Sequence, residues 1–255
     1  MPKIIRIVFS DISKNKTILF FILTLAAMSW TSFIIEDNVH KGLLIIMNVI
    51  LFVVPLMSLL FSTVYMHNCK EFIILLLSQP IARSAIWRGI YAGVSSSLCA
   101  AFLLGAGIPI LVYSFNSLGL LMIIMGLALT PVFVSLAFLI CSFITDKSKG
   151  VGIALVLWLL FAILYDGIML FVLFQFSDYP IDNLMIILLT LNPIDMARLQ
   201  ILMQLDVSAI MGYAGAAFKN LLGVTAAKIV AFVIMIFWIG LPYYLSIKRF
   251  ERKDM

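Results

Sequence analysis

Six apolar stretches, each long enough to cross a bilayer, constrain this chain more than any other feature, because they commit it to a bundle of helices in lipid. A hydrocarbon core of roughly 30 Å takes about 20 apolar residues per helix. Runs of that length lie near Thr17–Ile35, Leu43–Met66, Gly89–Phe115, Leu118–Thr145, Val151–Phe176 and Ala226–Ile247. The expected fold class is an all-α integral membrane protein with six transmembrane helices, and an even number of crossings puts both termini on one side. With 255 residues and a mean hydropathy of +1.18, residues 1–255 read as a single transmembrane domain with no soluble domain of ordinary size attached. Chemistry that needs a large water-exposed fold has to come from another chain.

The loops set the orientation. Cytoplasmic segments retain Lys and Arg, and thirteen of the seventeen basic residues fall on one side. These are Lys3, Arg6, Lys14 and Lys16 in the N-terminal arm, Lys70, Arg83 and Arg88 in the second loop, Lys147 and Lys149 in the fourth, and Lys248, Arg249, Arg252 and Lys253 in the tail. The other side holds Lys41, Arg198, Lys219 and Lys228. Both termini are therefore expected in the cytoplasm, and the net charge of +5 expresses membrane orientation. A nucleic-acid partner is discarded, because it needs a Lys/Arg stripe on a soluble face. The first apolar run is longer than the core of a secretory signal and lacks an A-x-A cleavage site, so it reads as a retained span.

No G-x-x-x-x-G-K-[ST] run occurs, so any ATP-driven work is supplied in trans. Neither H-E-x-x-H nor G-x-S-x-G is present, and no catalytic residue is expected. Cys69, Cys99 and Cys141 are odd in number and widely spaced, which frames no disulfide set. Copper handling calls for clustered Cys, Met or His ligands. His67-x-Cys69 is a weak pair, and Met196, Met203 and Met211 have no Cys or His beside them, methionine being common in apolar packing. No metal site and no bound cofactor are expected.

Three regions outside the spans stand out. In residues 1–16, Ile5, Val8, Phe9 and Ile12 share one helical face, with Lys3, Arg6, Ser10, Ser13 and Lys14 mostly on the other. This predicts an amphipathic helix on the cytoplasmic membrane surface, where anionic lipid attracts its charges. Residues 67–88 are too long for a tight turn and too apolar, with Phe72-Ile73-Ile74-Leu75-Leu76-Leu77, for a solvated linker. They should fold into short helices, broken at Ser78-Gln79-Pro80 because proline lacks an N–H and restricts its predecessor. Residues 177–225 form the only sizeable extracytoplasmic segment. Leu184–Leu191 is apolar but too short to span, and Ile194, Leu199, Ile201, Leu202, Leu205 and Ile210 suit an interfacial helix broken near Asp206. With Asp178, Asp182, Asp195 and Asp206 it is mildly acidic, and re-entrant or amphipathic helices capping the outer face are expected.

Within the spans, Gly89, Gly93, Ser97, Ala101 and Gly105 form a stripe that lets another helix approach closely. Pro55, Pro109, Pro131 and Pro242 should kink four spans, with neighbours satisfying the freed backbone groups. Asp166 is essentially the one intramembrane charge, roughly 22 Å along its helix from Val151 at 1.5 Å per residue. Such a charge is a functional hypothesis by default. A cation from another segment or a water-lined cavity would each explain it.

The elbow run Leu75-Leu76-Leu77-Ser78-Gln79-Pro80-Ile81-Ala82-Arg83, followed by Gly89, resembles the leucine-rich stretch and Pro-x-x-Arg turn of ABC-2 type permeases. Trp158-Leu159-Leu160-Phe161 leading to Tyr165-Asp166, and Leu191-Asn192-Pro193-Ile194-Asp195-Met196-Ala197-Arg198, resemble the permeases of the nitrous oxide reductase maturation systems. The Asn-Pro-x-Asp-x-x-Arg run with the Asp in the fifth span is the more specific part. This resemblance implies an ABC-2, type V exporter-like architecture in a bacterial inner membrane. It implies a homodimer on two cytoplasmic ATPase subunits of the NosF kind, which bind ATP and Mg, and a periplasmic partner of the NosD kind, together serving assembly of a reductase copper site. ATPase coupling falls to Glu71, Gln79, Pro80 and Arg83. Asn192, Pro193, Asp195 and Arg198 shape the outer cap, with proline and asparagine ending one helix and Asp195 capping the next. Where many relatives carry a Glu-x-Glu-x-Gly-Thr approach, this chain reads His67-Asn68-Cys69-Lys70-Glu71-Phe72-Ile73 and keeps Glu71 as its one acid there. The alternative on the same fold is an exporter of lipid, peptide or drug. An ion-coupled secondary transporter usually needs repeats and polar groups near the midplane, and no internal repeat is visible.

Overall fold

The computed structural model describes residues 2–36, 38–176, 182–205 and 212–252, and every regular element among them is a helix. Six of these are long and apolar enough to cross a membrane: span 1 (Lys16–Ile35), span 2 (Val39–Asn68), span 3 (Arg83–Tyr113), span 4 (Ser117–Phe143), span 5 (Lys147–Gln175) and span 6 (Ala226–Glu251). The expected runs coincide with them, overshooting by a residue or two at Phe115, Thr145 and Phe176. A leader helix (Pro2–Ser13) precedes span 1, and an elbow helix (Lys70–Leu77) joins spans 2 and 3. Two short helices, Asp182–Thr190 and Pro193–Gln204, lie between spans 5 and 6 with a 110° bend. They form a hairpin. The last helix, Gly212–Glu251, turns at Gly223, whose φ of 73° suits a residue without Cβ, before running on as span 6.

Several starts are fixed by short polar side chains that accept from the otherwise unpaired first-turn amides. Asn15 accepts from Thr17 N at 2.9 Å, Asn38 from His40 N at 2.9 Å, Asn116 from Gly119 N at 2.8 Å, and Asp146 from Ser148 N at 2.8 Å. Span 4 forms the centre and packs most extensively on spans 2 and 6. Spans 5 and 6 lie at the edge, with 17% and 22% of their apolar windows buried against 67% for span 4.

In lipid no hydrophobic force draws helices together, so close approach depends on small residues and satisfied polar groups. The stripe on span 3 receives two helices. A Cβ at Gly89 would meet Ile4 at 3.0 Å and one at Gly93 would meet Val8 at 2.7 Å, while one at Gly105 would meet Leu25 of span 1 at 2.8 Å. The leader helix therefore buries Ile4, Val8 and Ile12 in the glycine groove and leaves Phe9 38% exposed. Its apolar face is rotated from the expected Ile5, Val8, Phe9 and Ile12, because the groove takes a ridge of residues four apart.

Prolines are compensated by neighbours. Pro131 cannot donate to Leu127 O, and the Cys99 thiol approaches that carbonyl at 3.9 Å. Pro242 likewise releases Trp238 O, which Ser135 Oγ of span 4 approaches at 3.4 Å. Spans 3 and 5 each contain a π-helical turn, Leu103–Gly107 and Leu160–Leu164. Such turns disturb the regular carbonyl pairing, which matters at Phe161.

Candidate functional site: the elbow and the hairpin

The expected site residues fall into two groups, one at the elbow end of the bundle and one reaching from the far side to the middle of spans 5 and 6. At the end that carries the leader helix and the end of span 6, the elbow helix buries Ile73 and Leu76 and turns Ile74 (59% exposed) and Leu75 (66%) outward. It stops at Ser78, whose N–H donates to Ile74 O at 3.2 Å and whose hydroxyl donates to Leu75 O at 2.8 Å. The expected break at Ser78-Gln79-Pro80 is observed, and the elbow holds one helix where several short ones were expected. Glu71, Gln79, Pro80 and Arg83 are all exposed. Arg83 Nη1 reaches Glu251 O at 3.4 Å, Lys70 Nζ donates to Thr145 O, and Lys147 Nζ donates to Asn68 Oδ1 at 2.8 Å. The elbow is thus tied to span 6 and to the turn between spans 4 and 5.

A cavity of about 330 Å³ lies beside the elbow, lined by residues including His67, Lys70, Ile73, Trp87 and Phe250. His67 is buried, with Nδ1 2.8 Å from Thr63 O and 3.5 Å from Cys141 Sγ. Burial pushes the Cys69 thiol above its ordinary value. No group of three or more His, Cys, Asp or Glu suited to a metal ion occurs among the described residues.

At the other end the hairpin gathers the second group around Asp166. Arg198 Nη1 lies 3.1 Å from Asp166 Oδ2 and 3.2 Å from Asp195 Oδ1. Asn192 Nδ2 donates to Asp195 Oδ2 at 2.7 Å and to Phe161 O at 2.9 Å, while its Oδ1 accepts from Ile194 N at 3.0 Å. Asn192 therefore caps the second hairpin helix, with Pro193 at the first helical position, where its missing N–H leaves no partner unmet. Asp195, expected as the cap, sits in the first turn and holds the asparagine amide. The cation that answers Asp166 comes from a segment read as an outer cap. Pro193–Gln204 packs among spans 2, 4 and 6, with Asn192 and Asp195 buried.

Three aromatic groups extend this network. Tyr165 OH donates to Leu188 O at 2.5 Å, Trp238 Nε1 to Thr190 O at 3.1 Å, and Trp158 Nε1 to Phe52 O at 3.2 Å. Their roles, and that of the Phe161 carbonyl, were not read from sequence. An indole or phenol in lipid needs a partner for its polar end, which was the available clue. Met196 and Met203 are buried in the second hairpin helix. Asp178, Asp206, Met211 and Lys253 lie outside the described residues.

Residues 9–255 match the family model described as ABC-2 family transporter protein. Two proteins described as "Probable ABC transporter permease protein NosY" are similar to the chain. The one from Stutzerimonas stutzeri is 27% identical over 216 residues, covering 79% of this chain and 76% of that protein. The one from Pseudomonas aeruginosa is 30% identical over 216 residues, covering 80% and 77%.

Proposed function

This chain belongs to the ABC-2 transporter family as a permease, and on that premise we propose that a separate cytoplasmic ATPase drives it through the elbow. The observation that carries this reading is the pair Ile74 and Leu75, which face outward on a short helix beside Glu71, Gln79, Pro80 and Arg83. An aliphatic tip rimmed by polar residues is the surface a protein partner covers. It lies at the end of the bundle where most basic residues are found, in keeping with a cytoplasmic location.

The partner ATPase, of the NosF kind, binds ATP and Mg and hydrolyses the ATP; the permease acts as a homodimer in a bacterial inner membrane. Motion taken up at the elbow is delivered at the hairpin end to a periplasmic protein of the NosD kind, in the service of copper-site assembly in nitrous oxide reductase. The likeness to two NosY permeases supports this role over export of lipid, peptide or drug. In the reconstituted complex, Arg83→Ala and Glu71→Gln should each lower permease-stimulated ATP hydrolysis by about threefold or more, the scale of a modest interface contact, with normal membrane insertion. Unchanged stimulation removes the elbow from the coupling role. Deleting the gene in a nitrous-oxide-reducing host should abolish that reduction; intact reduction with sensitivity to toxic compounds would favour the exporter.

A further inference from the structure

Span 6 is fastened at both ends and lies largely at the edge of the bundle between them. At the elbow end, Trp87 Nε1 donates to Ser246 Oγ at 3.0 Å, and its ring stacks on Phe250 with centroids 4.2 Å apart. Both Trp87 and Ser246 are buried. Trp87 stands one turn after Arg83 on span 3, so its indole joins the elbow side of span 3 to span 6 beside the contact of Arg83 with Glu251 O. Against the hairpin, Trp238 Nε1 at the middle of span 6 donates to Thr190 O at 3.1 Å, Lys228 Nζ near its start donates to Gln204 Oε1, and the Trp238 ring meets Phe161 edge-on at 5.6 Å. Both hairpin helices are therefore attached to span 6. Phe161 also bears the carbonyl that Asn192 caps. Pro242 lies midway between Trp238 and Ser246 and removes one rung of the helix ladder, where Ser135 of span 4 supports the freed carbonyl.

We propose that the half of span 6 from Trp238 to Phe250 is the rod that links the elbow side of the bundle to the hairpin, with Trp87 and Trp238 as the positioning residues that clamp the two ends of that half. This rests on the elbow being the point where force enters. A helix with 1.5 Å rise per residue carries a displacement along its axis with little loss. Each tryptophan clamp has one indole donor, backed by a second contact from Arg83 to Glu251 O at the elbow end and from Lys228 to Gln204 at the hairpin. The cavity of about 330 Å³ beside Trp87 and Phe250 gives the elbow end room to move.

The test is amide hydrogen exchange on the full chain in lipid nanodiscs, with Trp87→Phe, Ser246→Ala and Trp238→Phe. Trp87→Phe keeps an aromatic ring on Phe250 while removing the indole donor together with its five-membered ring; Ser246→Ala removes the acceptor and leaves the indole in place, so it separates the lost hydrogen bond from lost packing. Either should speed exchange across residues 186–196 of the hairpin by about fivefold, the effect of losing one net hydrogen bond, while the leader helix keeps its wild-type rate. Trp238→Phe should in turn loosen residues 243–251, since coupling between two sites is reciprocal. Faster exchange confined to the neighbourhood of each substitution, or raised uniformly in all spans, overturns the rod. No ATPase is needed for this measurement. A failed rod leaves the elbow's coupling role standing, and a failure of permease-stimulated hydrolysis leaves the rod standing.

Discussion

The elbow and the hairpin both display acids and an arginine, and they use them in opposite ways. Glu71 and Arg83 are exposed, and the tip between them is aliphatic. Asp195 has 6% of its side chain exposed, and its two oxygens are held by Arg198 and Asn192. A charge in water asks for nothing from its neighbours, whereas a charge removed from water must be paired and hydrogen-bonded or the segment does not fold. The hairpin residues are thus fixed by stability, whereas the exposed elbow residues suit the proposed docking of an ATPase. The same kinds of side chain carry separable consequences at the two ends.

That contrast is broken most forcefully at Arg198. Arg198→Met leaves Asp195 buried without its cation, and the loss should be about 3–5 kcal/mol, read as a drop in thermal stability of the full chain in detergent; stability equal to wild type would mean that the ion pairs do not hold the hairpin. Asn192→Leu removes the donor to Phe161 O and the acceptor for Ile194 N, and about 2 kcal/mol should be lost. Gly93→Val drives a side chain into Val8 and should cost about 1–3 kcal/mol, with the leader helix becoming cleavable by protease. Gly167, where nothing lies within 4 Å of an added Cβ, supplies the control: Gly167→Ala should change stability by less than about 1 kcal/mol. Ile74→Ser should move stability least, within about 0.5 kcal/mol, while weakening capture of the ATPase in pull-down; a large loss of stability there would make the elbow a structural element like the hairpin.

The spans, the break at Ser78-Gln79-Pro80 and the glycine stripe were legible because each follows from local composition. A run of 20 apolar residues, a proline and a spacing of four need no knowledge of the rest of the chain. The hairpin was legible only in part. Pro193–Gln204 carries Asp195, Arg198, Gln200 and Gln204 and reads as either a re-entrant or an amphipathic outer helix, and it is buried with its charges meeting Asp166 and each other. That pairing joins residues 32 positions apart in the chain, and no periodicity within either segment announces it. The π turn at Leu160–Leu164 is built from apolar residues and leaves no mark in composition. Asp195 and Asn192 are equally good helix caps in principle. The choice falls to Asn192 because an amide can accept from Ile194 N and donate to both Phe161 O and Asp195 at once, which a carboxylate cannot.

The central claim is that this chain takes up work at the elbow and performs no hydrolysis of its own. Its most direct test is the rate of ATP hydrolysis in proteoliposomes holding the chain alone, the wild-type chain with its partner ATPase, and Leu75→Glu with the same ATPase. The account predicts no turnover from the chain alone, stimulated turnover with the wild type, and stimulation lost with Leu75→Glu while thermal stability stays unchanged. Hydrolysis by the chain alone, or full stimulation by Leu75→Glu, would contradict it.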